Sequence, residues 1–289
     1  HGINEHKRLP AHQLLDSGVE AAALPEYLSE NYLLPMAQGR LLTDIALKQK
    51  HILSDSTRLT DTGIYIGVPY CPSRCSYCSF PAGIVPQDEE SQQNFVNMIE
   101  QDLQNVVQLI GMHSLRVKSL YIGGGTPTSL SDKVFARLLQ AVERKLRQSN
   151  CEGLQHLREF TVEAGRPDCF SAAKLAAMEA AGVNRISVNP QTFSDETLRL
   201  IGRAHTAQDT LDAFSLAREM GFRHINMDLI AALPGESEDD FARSLRTTMN
   251  LHPESVTVHT LAIKRSSRLH EQGYAQVGAE QAARMVDFA

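Results

Sequence analysis

From Ile64 onward, short runs rich in β-branched and aromatic residues alternate with longer helical segments, and this alternation limits the fold more than any other property of the sequence. The strands read as Ile64–Val68, Val117–Ile122, Glu159–Glu163, Arg185–Val188, His224–Leu229 and Ser255–Leu261. The helices between them read as Glu89–Ile110, Asp132–Arg147, Ser171–Ala181, Gln208–Met220 and Asp239–Asn250, with Gly182 and Gly221 where helix C-caps belong. Strands separated by helices of this length imply βαβ units, and hence a parallel sheet with right-handed crossovers. Residues 1–60 are different. There Leu41, Leu42, Ile45, Ala46 and Leu53 fall at helical spacing, and the turn signal Asp61-Thr62-Gly63 closes this N-terminal helical segment.

The residues that follow the strands decide between an open sheet and a barrel. In order they are a cysteine cluster, then Gly123-Gly124-Gly125-Thr126-Pro127, then Glu163-Ala164-Gly165-Arg166-Pro167, then Asn189-Pro190-Gln191, then Asp228, then His259-Thr260. A barrel with its site on the C-terminal face needs such punctuation after every strand, whereas an open sheet concentrates ligand contacts at one switch point. Gly, Pro and Asn are also ordinary βα-turn residues. Glu163, Gln191 and Asp228 are not explained that way, because each is read as a polar group placed directly after an apolar strand. The expectation is an α/β fold, a partial TIM barrel of roughly six parallel βα units.

Composition removes several classes of function. With 42% hydrophobic and 21% charged residues in 289, the chain is an ordinary globular one, and a prior of ~150 residues per domain allows one large domain or two smaller ones. A net charge of −6 lacks the basic footprint of a nucleic-acid binder. No apolar run approaches the ~18 residues of a membrane span, and no basic n-region with an apolar stretch opens the chain, so it reads as cytoplasmic. The start at His1 and the stop at Phe288-Ala289, inside a helix beginning near Glu280, read as a fragment.

Five cysteines make a disulfide framework improbable in such a chain, and three of them fall together in Cys71-Pro72-Ser73-Arg74-Cys75-Ser76-Tyr77-Cys78. Cys151 and Cys169 read as ordinary thiols. The C-x3-C-x2-C spacing is too tight for a strand and is expected in a loop just after one. Chance clustering and a structural zinc site are the alternatives. Zinc wants four ligands, usually in paired spacings, and no fourth Cys or His lies nearby. A four-iron cluster normally takes four thiolates, so three leave one iron open to a bidentate amine and carboxylate. The triple glycine after the next strand fits such a ligand, because residues without a Cβ let backbone groups come close.

The cysteine loop resembles that of the radical SAM superfamily, whose hallmark is this motif binding a [4Fe-4S] cluster and S-adenosyl-L-methionine. Tyr65-Ile66-Gly67-Val68-Pro69-Tyr70-Cys71, Gly123 to Thr128, Arg203-Ala204-His205 and Asn226 to Ile230 through Leu233-Pro234-Gly235 resemble the oxygen-independent coproporphyrinogen III dehydrogenase family and its heme-chaperone relatives. Val162 to Asp168, Asn189 to Thr192 and Thr257 to Arg265 are similar to its HemZ-type branch. The resemblance covers about Ile64 to Leu269 and implies a partial barrel over 61–289, truncated before a C-terminal region that caps the barrel and completes the substrate pocket.

Residue by residue, the resemblance implies that Cys71, Cys75 and Cys78 ligate the cluster, that Tyr65 contacts the nucleotide-sulfonium ligand, and that Tyr77 packs on its adenine. Gly124, Gly125 and Thr126 line the methionyl end. Glu163, Gln191, Arg203 and Asp228 supply polar contacts to methionyl or ribose groups, and Ala262 presents its backbone to adenine. The implied reaction is oxidative decarboxylation of coproporphyrinogen propionates to vinyl groups, which requires a tetrapyrrole substrate and an electron donor for the cluster. Lys264, Arg265, Arg268 and Arg166 are candidate cations for the carboxylates, or otherwise a basic surface edge. The family's well-understood dehydrogenases carry a fourth cysteine two residues after the third. Here that position is Phe80, as in the chaperone relatives and in the HemZ-type branch alike, a departure that bears on the coproporphyrinogen reaction itself; a heme-binding trafficking protein is the alternative function.

Overall fold

The computed structural model describes residues 11–53, 60–147, 152–275 and 277–289; Cys151 and the N-terminal ten residues lie outside them. Contacts divide the chain into two compact units that meet in sequence at Asp61/Thr62. The first contains α1 (Ala11–Asp16), α2 (Leu24–Tyr32) and α3 (Met36–Leu53). Leu14, Leu15, Leu24, Leu28 and Ala46 form its core. Of the apolar residues read at helical spacing in α3, Leu41, Leu42 and Ile45 are exposed and Ala46 is buried, as is Thr43.

The second unit begins with β1 (Asp61–Val68), the short β2 (Tyr70–Cys71) and β3 (Gly83–Ile84), and then α4 (Glu89–Met112). It continues through β4 (Arg116–Gly124), α5 (Asp132–Val142), β5 (Glu159–Gly165), α6 (Ala172–Ala180), β6 (Arg185–Val188), α7 (Asp195–Leu200) and α8 (Ala207–Glu219). β7 (Ile225–Ala231), α9 (Glu238–Asn250), β8 (Ser255–Thr260), α10 (Arg268–Glu271) and α11 (Ala279–Phe288) complete it. The main sheet has the strand order β1-β4-β5-β6-β7-β8, in sequence order, with parallel pairing from β4 through β8. Six parallel strands with helices outside make a half-barrel, as the alternation predicts.

The outer face of the strands buries Val68, Leu120, Ile122, Val162, Ile186, Val188, Ile225 and Met227 against the helices. The helix starts are locally encoded. Ser131, Ser171 and Ser194 cap α5, α6 and α7, while Thr206 and Ser237 form reciprocal capping boxes with Asp209 and Asp240 on α8 and α9. Gly182 and Gly221 follow helix ends at φ 77° and 88°, as C-cap glycines do.

Five details differ from the sequence reading. Asp61-Thr62-Gly63, read as a turn, is the start of β1. The helix expected over 132–147 changes at Glu143 to a five-residue π-turn. α7 is too short for periodicity to reveal. Cys71 does not lie in a loop but belongs to β2, which pairs in parallel with β3. Glu163 and Asp228 stand within β5 and β7, as the strand spans 159–163 and 224–229 have them, and not directly after the strands.

Candidate functional site

Strands β4 to β8 and the cysteine segment surround a cavity of about 660 Å³ on the inner face of the half-barrel. Cys71, Cys75 and Cys78 all line it, half-buried and unpaired as disulfides. The segment carrying them is held from several sides. Gly83 N–H donates to Pro69 O at 2.8 Å and Val85 N–H to Cys71 O at 2.9 Å, while Ser76 N–H donates to Ile201 O at 2.8 Å and accepts at its carbonyl from Leu269 N–H at 2.9 Å.

The glycine run at the end of β4 packs directly beneath that segment. Gly125 N–H donates to Val68 O at 2.8 Å, and Thr126 N–H to Tyr70 O at 2.6 Å. A Cβ on Gly125 would stand 2.4 Å from Tyr70 O and 3.0 Å from Cys71 Sγ. Gly124 has φ +111°, and a Cβ there would meet Val68 O at 2.8 Å. These residues are glycine because the strand end and the cysteine strand are in backbone contact. The Thr126 hydroxyl lies 3.6 Å from Cys71 Sγ.

Inside the half-barrel, Glu163 and Asp228 share the cavity wall. Asp228 is oriented by a relay: Thr257 Oγ1 donates to Asn226 Oδ1 at 3.1 Å, and Asn226 Nδ2 donates to Asp228 Oδ1 at 2.7 Å. Glu163 accepts from the Gly124 amide and the Tyr121 hydroxyl. Even so, burial pushes its carboxyl up from 4.5 to about 6, the charge of Asp228 adding to the shift and the Gly124 hydrogen bond opposing it. Because the folded value lies above the unfolded one, the proton is held in both states below pH 4.5 and ionisation of Glu163 costs nothing there. Between about 4.5 and about 6 the unfolded chain releases it first, so folding stability falls by about 2 kcal/mol as pH rises through that window and is level above it. Denaturant titrations of the ligand-free protein from pH 4 to 7 should show this fall, and Glu163→Gln should remove it.

The remaining candidates are placed as follows. Gln191 sits at φ 67°, held by a bridge in which its N–H donates to Asp228 O at 3.0 Å and its carbonyl accepts from Ile230 N–H at 2.9 Å. Arg203 is buried, with Nη2 donating to the Tyr77 hydroxyl at 3.0 Å and Nη1 to Asn189 O at 3.4 Å. Tyr77 packs beside Leu198, Ile201 and Leu269 while still lining the cavity, and burial pushes its hydroxyl up to about 12. Ala262 lines the cavity at the end of β8. Tyr65 is the one residue expected at the cluster or nucleotide that lies outside the lining. It is 63% exposed and stacks on Tyr121, which does line the cavity, with ring centroids 5.8 Å apart.

Arg166 departs from its expected role. It is buried, pairs with Asp168 at 2.8 Å and donates to Ser73, so it is not a cation free for a substrate carboxylate. Lys264, Arg265 and Arg268 are exposed after β8. The sequence reading missed Arg185, and also missed Tyr121, Thr161, Asn226 and Thr257 beside the recognised Gly123, Glu163, Asp228 and His259; all five line the cavity. They lie on the same strand faces as the recognised residues, two positions away: Tyr121 and Gly123, Thr161 and Glu163, Asn226 and Asp228, Thr257 and His259. The period of two in a strand is the signal that could have found them.

Among the described residues no three His, Cys, Asp or Glu side chains are arranged to hold a single metal ion. Three thiols opening into one cavity suit a multi-iron cluster better, because each thiolate then binds a different iron.

The chain belongs to the radical SAM superfamily, whose sequence profile matches residues 65–248. The cofactors of that family are a [4Fe-4S] cluster and S-adenosyl-L-methionine. Within it, the chain is 36% identical to an oxygen-independent coproporphyrinogen-III oxidase-like protein, HemZ of Bacillus subtilis, over 100% of this chain and 57% of the relative. It is 38% identical to the heme chaperone HemW of the same organism over 69% of this chain and 50% of the relative. Coproporphyrinogen III oxidase (HemN) from Escherichia coli has a similar fold, with a TM-score of 0.67 and 23% identity, covering 78% of this chain and 50% of that one. The chain spans about half the length of the curated relatives it matches. No helix among the described residues is long and apolar enough to cross a membrane.

Proposed function

We propose that the protein is a radical SAM oxidoreductase of tetrapyrrole metabolism that decarboxylates coproporphyrinogen III propionates oxidatively to vinyl groups. The observation that carries this reading is the opening of three thiols into one large cavity that also holds the Glu163 and Asp228 carboxylates. Cys71, Cys75 and Cys78 would hold the cluster. Gly124, Gly125 and Thr126 would offer close backbone contact to the methionyl end, with Glu163, Gln191, Arg203 and Asp228 as its polar partners and Ala262, Tyr65 and Tyr77 beside the nucleotide. When bound, the two cofactors supply a one-electron route to abstraction of a hydrogen atom from an unactivated carbon.

The chain's own residues orient the ligand and exclude water. At neutral pH Glu163 presents a carboxylate to a cationic ligand, since pH 7 lies above its raised value, and Asp228 faces the same cavity. A decarboxylated propionate gives up a hydrogen atom, carbon dioxide and one electron, so the reading includes both an electron donor for the cluster and an acceptor for the product electron. Lys264, Arg265 and Arg268, exposed after β8, and Arg74 and Arg185 in the cavity lining are candidate cations for the remaining carboxylates. A cytoplasmic setting accompanies this reading.

A second reading, heme binding and transfer without decarboxylation, is favoured by Phe80. It is 72% exposed and lines the cavity mouth at the position where the dehydrogenases carry their additional cysteine. Anaerobic turnover of the reconstituted protein with coproporphyrinogen III, S-adenosyl-L-methionine and a one-electron donor tests both. Vinyl-bearing product supports the first reading. 5′-Deoxyadenosine without porphyrin product would sink it, and stable heme retention with transfer to an apo-acceptor would establish the second.

A further inference from the structure

Arg166 is 3% exposed, directly behind the cysteine segment. Its Nε and Nη2 donate to Asp168 Oδ1 and Oδ2 at 3.0 and 2.8 Å, a bidentate pair that fixes the guanidinium plane. Its third nitrogen, Nη1, points the other way, donating to Ser73 O at 3.2 Å and Ser73 Oγ at 2.8 Å and lying 4.0 Å from Cys75 Sγ. On the far side of Asp168, the buried His205 places Nδ1 3.6 Å from Oδ1. An oriented ion pair therefore stands at the cysteine segment with its positive end toward one of the three thiols and its negative end away.

We infer that Arg166 is a positioning residue that also acts electrostatically. It locks the backbone between Cys71 and Cys75 and raises the reduction potential of a cluster bound there, with Asp168 setting the size of the effect. Reduction adds one negative charge to the cluster. A guanidinium beside a ligating sulfur stabilises the reduced form relative to the oxidised one, and hydrogen bonds and charge at the sulfurs are among the determinants of such potentials. Lysine would not reproduce it, since only a planar fork satisfies Asp168 with two nitrogens while offering a third to Ser73. The inference rests on the cluster reading above but on neither the substrate nor the reaction.

The sign of two opposite substitutions tests it. The protein, Arg166→Gln and Asp168→Asn are reconstituted anaerobically with iron and sulfide. Iron content is measured, and the cluster is then titrated with dithionite while its absorbance and paramagnetic signal are followed. At a fixed solution potential, Arg166→Gln should lower the ratio of reduced to oxidised cluster about tenfold, equivalent to about 59 mV for one electron. Asp168→Asn should raise that ratio, because it removes the charge that offsets the guanidinium. A purely structural ion pair would instead lower iron content in both variants or move both potentials the same way, and either result overturns the inference. If Arg166→Gln fails to fold, Asp168→Asn decides alone, a zero or downward shift being contradictory. Failure of the parent protein to take up iron overturns the cluster reading and this inference together. Equal potentials in iron-loaded parent and variants overturn only the inference.

Discussion

Replacing Cys75, Cys71 or Cys78 singly with alanine is expected to abolish cluster assembly while leaving the protein folded. The three side chains are half-buried at the cavity wall, and the hydrophobic core lies behind them against the helices. Each alanine therefore removes a ligand without opening a core cavity, and such substitutions ordinarily change stability by no more than about 0.5 kcal/mol. Cluster binding has no such tolerance. With three thiolates and one open iron there is no spare protein ligand, so the loss of one leaves two irons without a thiolate. Iron content after anaerobic reconstitution should fall from about four per chain to a small residue. Urea midpoints of the apo-proteins should coincide with the parent's. Cys169 is the control: buried, with its thiol pushed up to about 11 chiefly by burial, it should be dispensable for iron uptake.

Gly125→Ala should be nearly as damaging by a different route. The added methyl would stand 2.4 Å from the Tyr70 carbonyl oxygen and 2.9 Å from its carbon, both backbone atoms that no rotamer change can move. Relief requires separating β4 from the cysteine strand. That breaks the hydrogen bonds from Gly125 N–H to Val68 O and from Thr126 N–H to Tyr70 O, which fix the position of Cys71. Overpacking of this kind costs about 1–3 kcal/mol, so the half-barrel should survive with a lowered denaturant midpoint. Iron uptake should fall several-fold. Gly221→Ala is the comparison. It has a positive φ of 88° but nothing within 4 Å, so it should lose stability through backbone strain while taking up iron normally.

The half-barrel was legible because its two signals are local: β-branched runs at regular intervals, and helical segments between them closed by glycines such as Gly182 and Gly221. The strand ends were legible too, since Gly124, Glu163 and Asp228 stand out against apolar neighbours. What escaped depends on curvature and on distant partners. Tyr121, Thr161, Asn226 and Thr257 are polar residues in strand interiors, and in a flat sheet with one wet face they would be unremarkable. Closure into a half-barrel turns that face inward and makes it the wall of a cavity. Arg166 read as a loose cation because a loop arginine is usually exposed. Its partner Ser73 is 93 positions away, and no local pattern announces that contact. α7, at six residues, is shorter than two helical turns and leaves no periodic trace.

The most direct measurement of the central claim is the low-temperature electron paramagnetic resonance spectrum of the reconstituted, dithionite-reduced protein, recorded with and without S-adenosyl-L-methionine. About four irons per chain and a spectrum that changes shape when the ligand is added are the predicted result, because its amine and carboxylate would occupy the iron that three cysteines leave open. A protein that takes up no cluster, or one whose spectrum is identical with and without the ligand, would contradict the account.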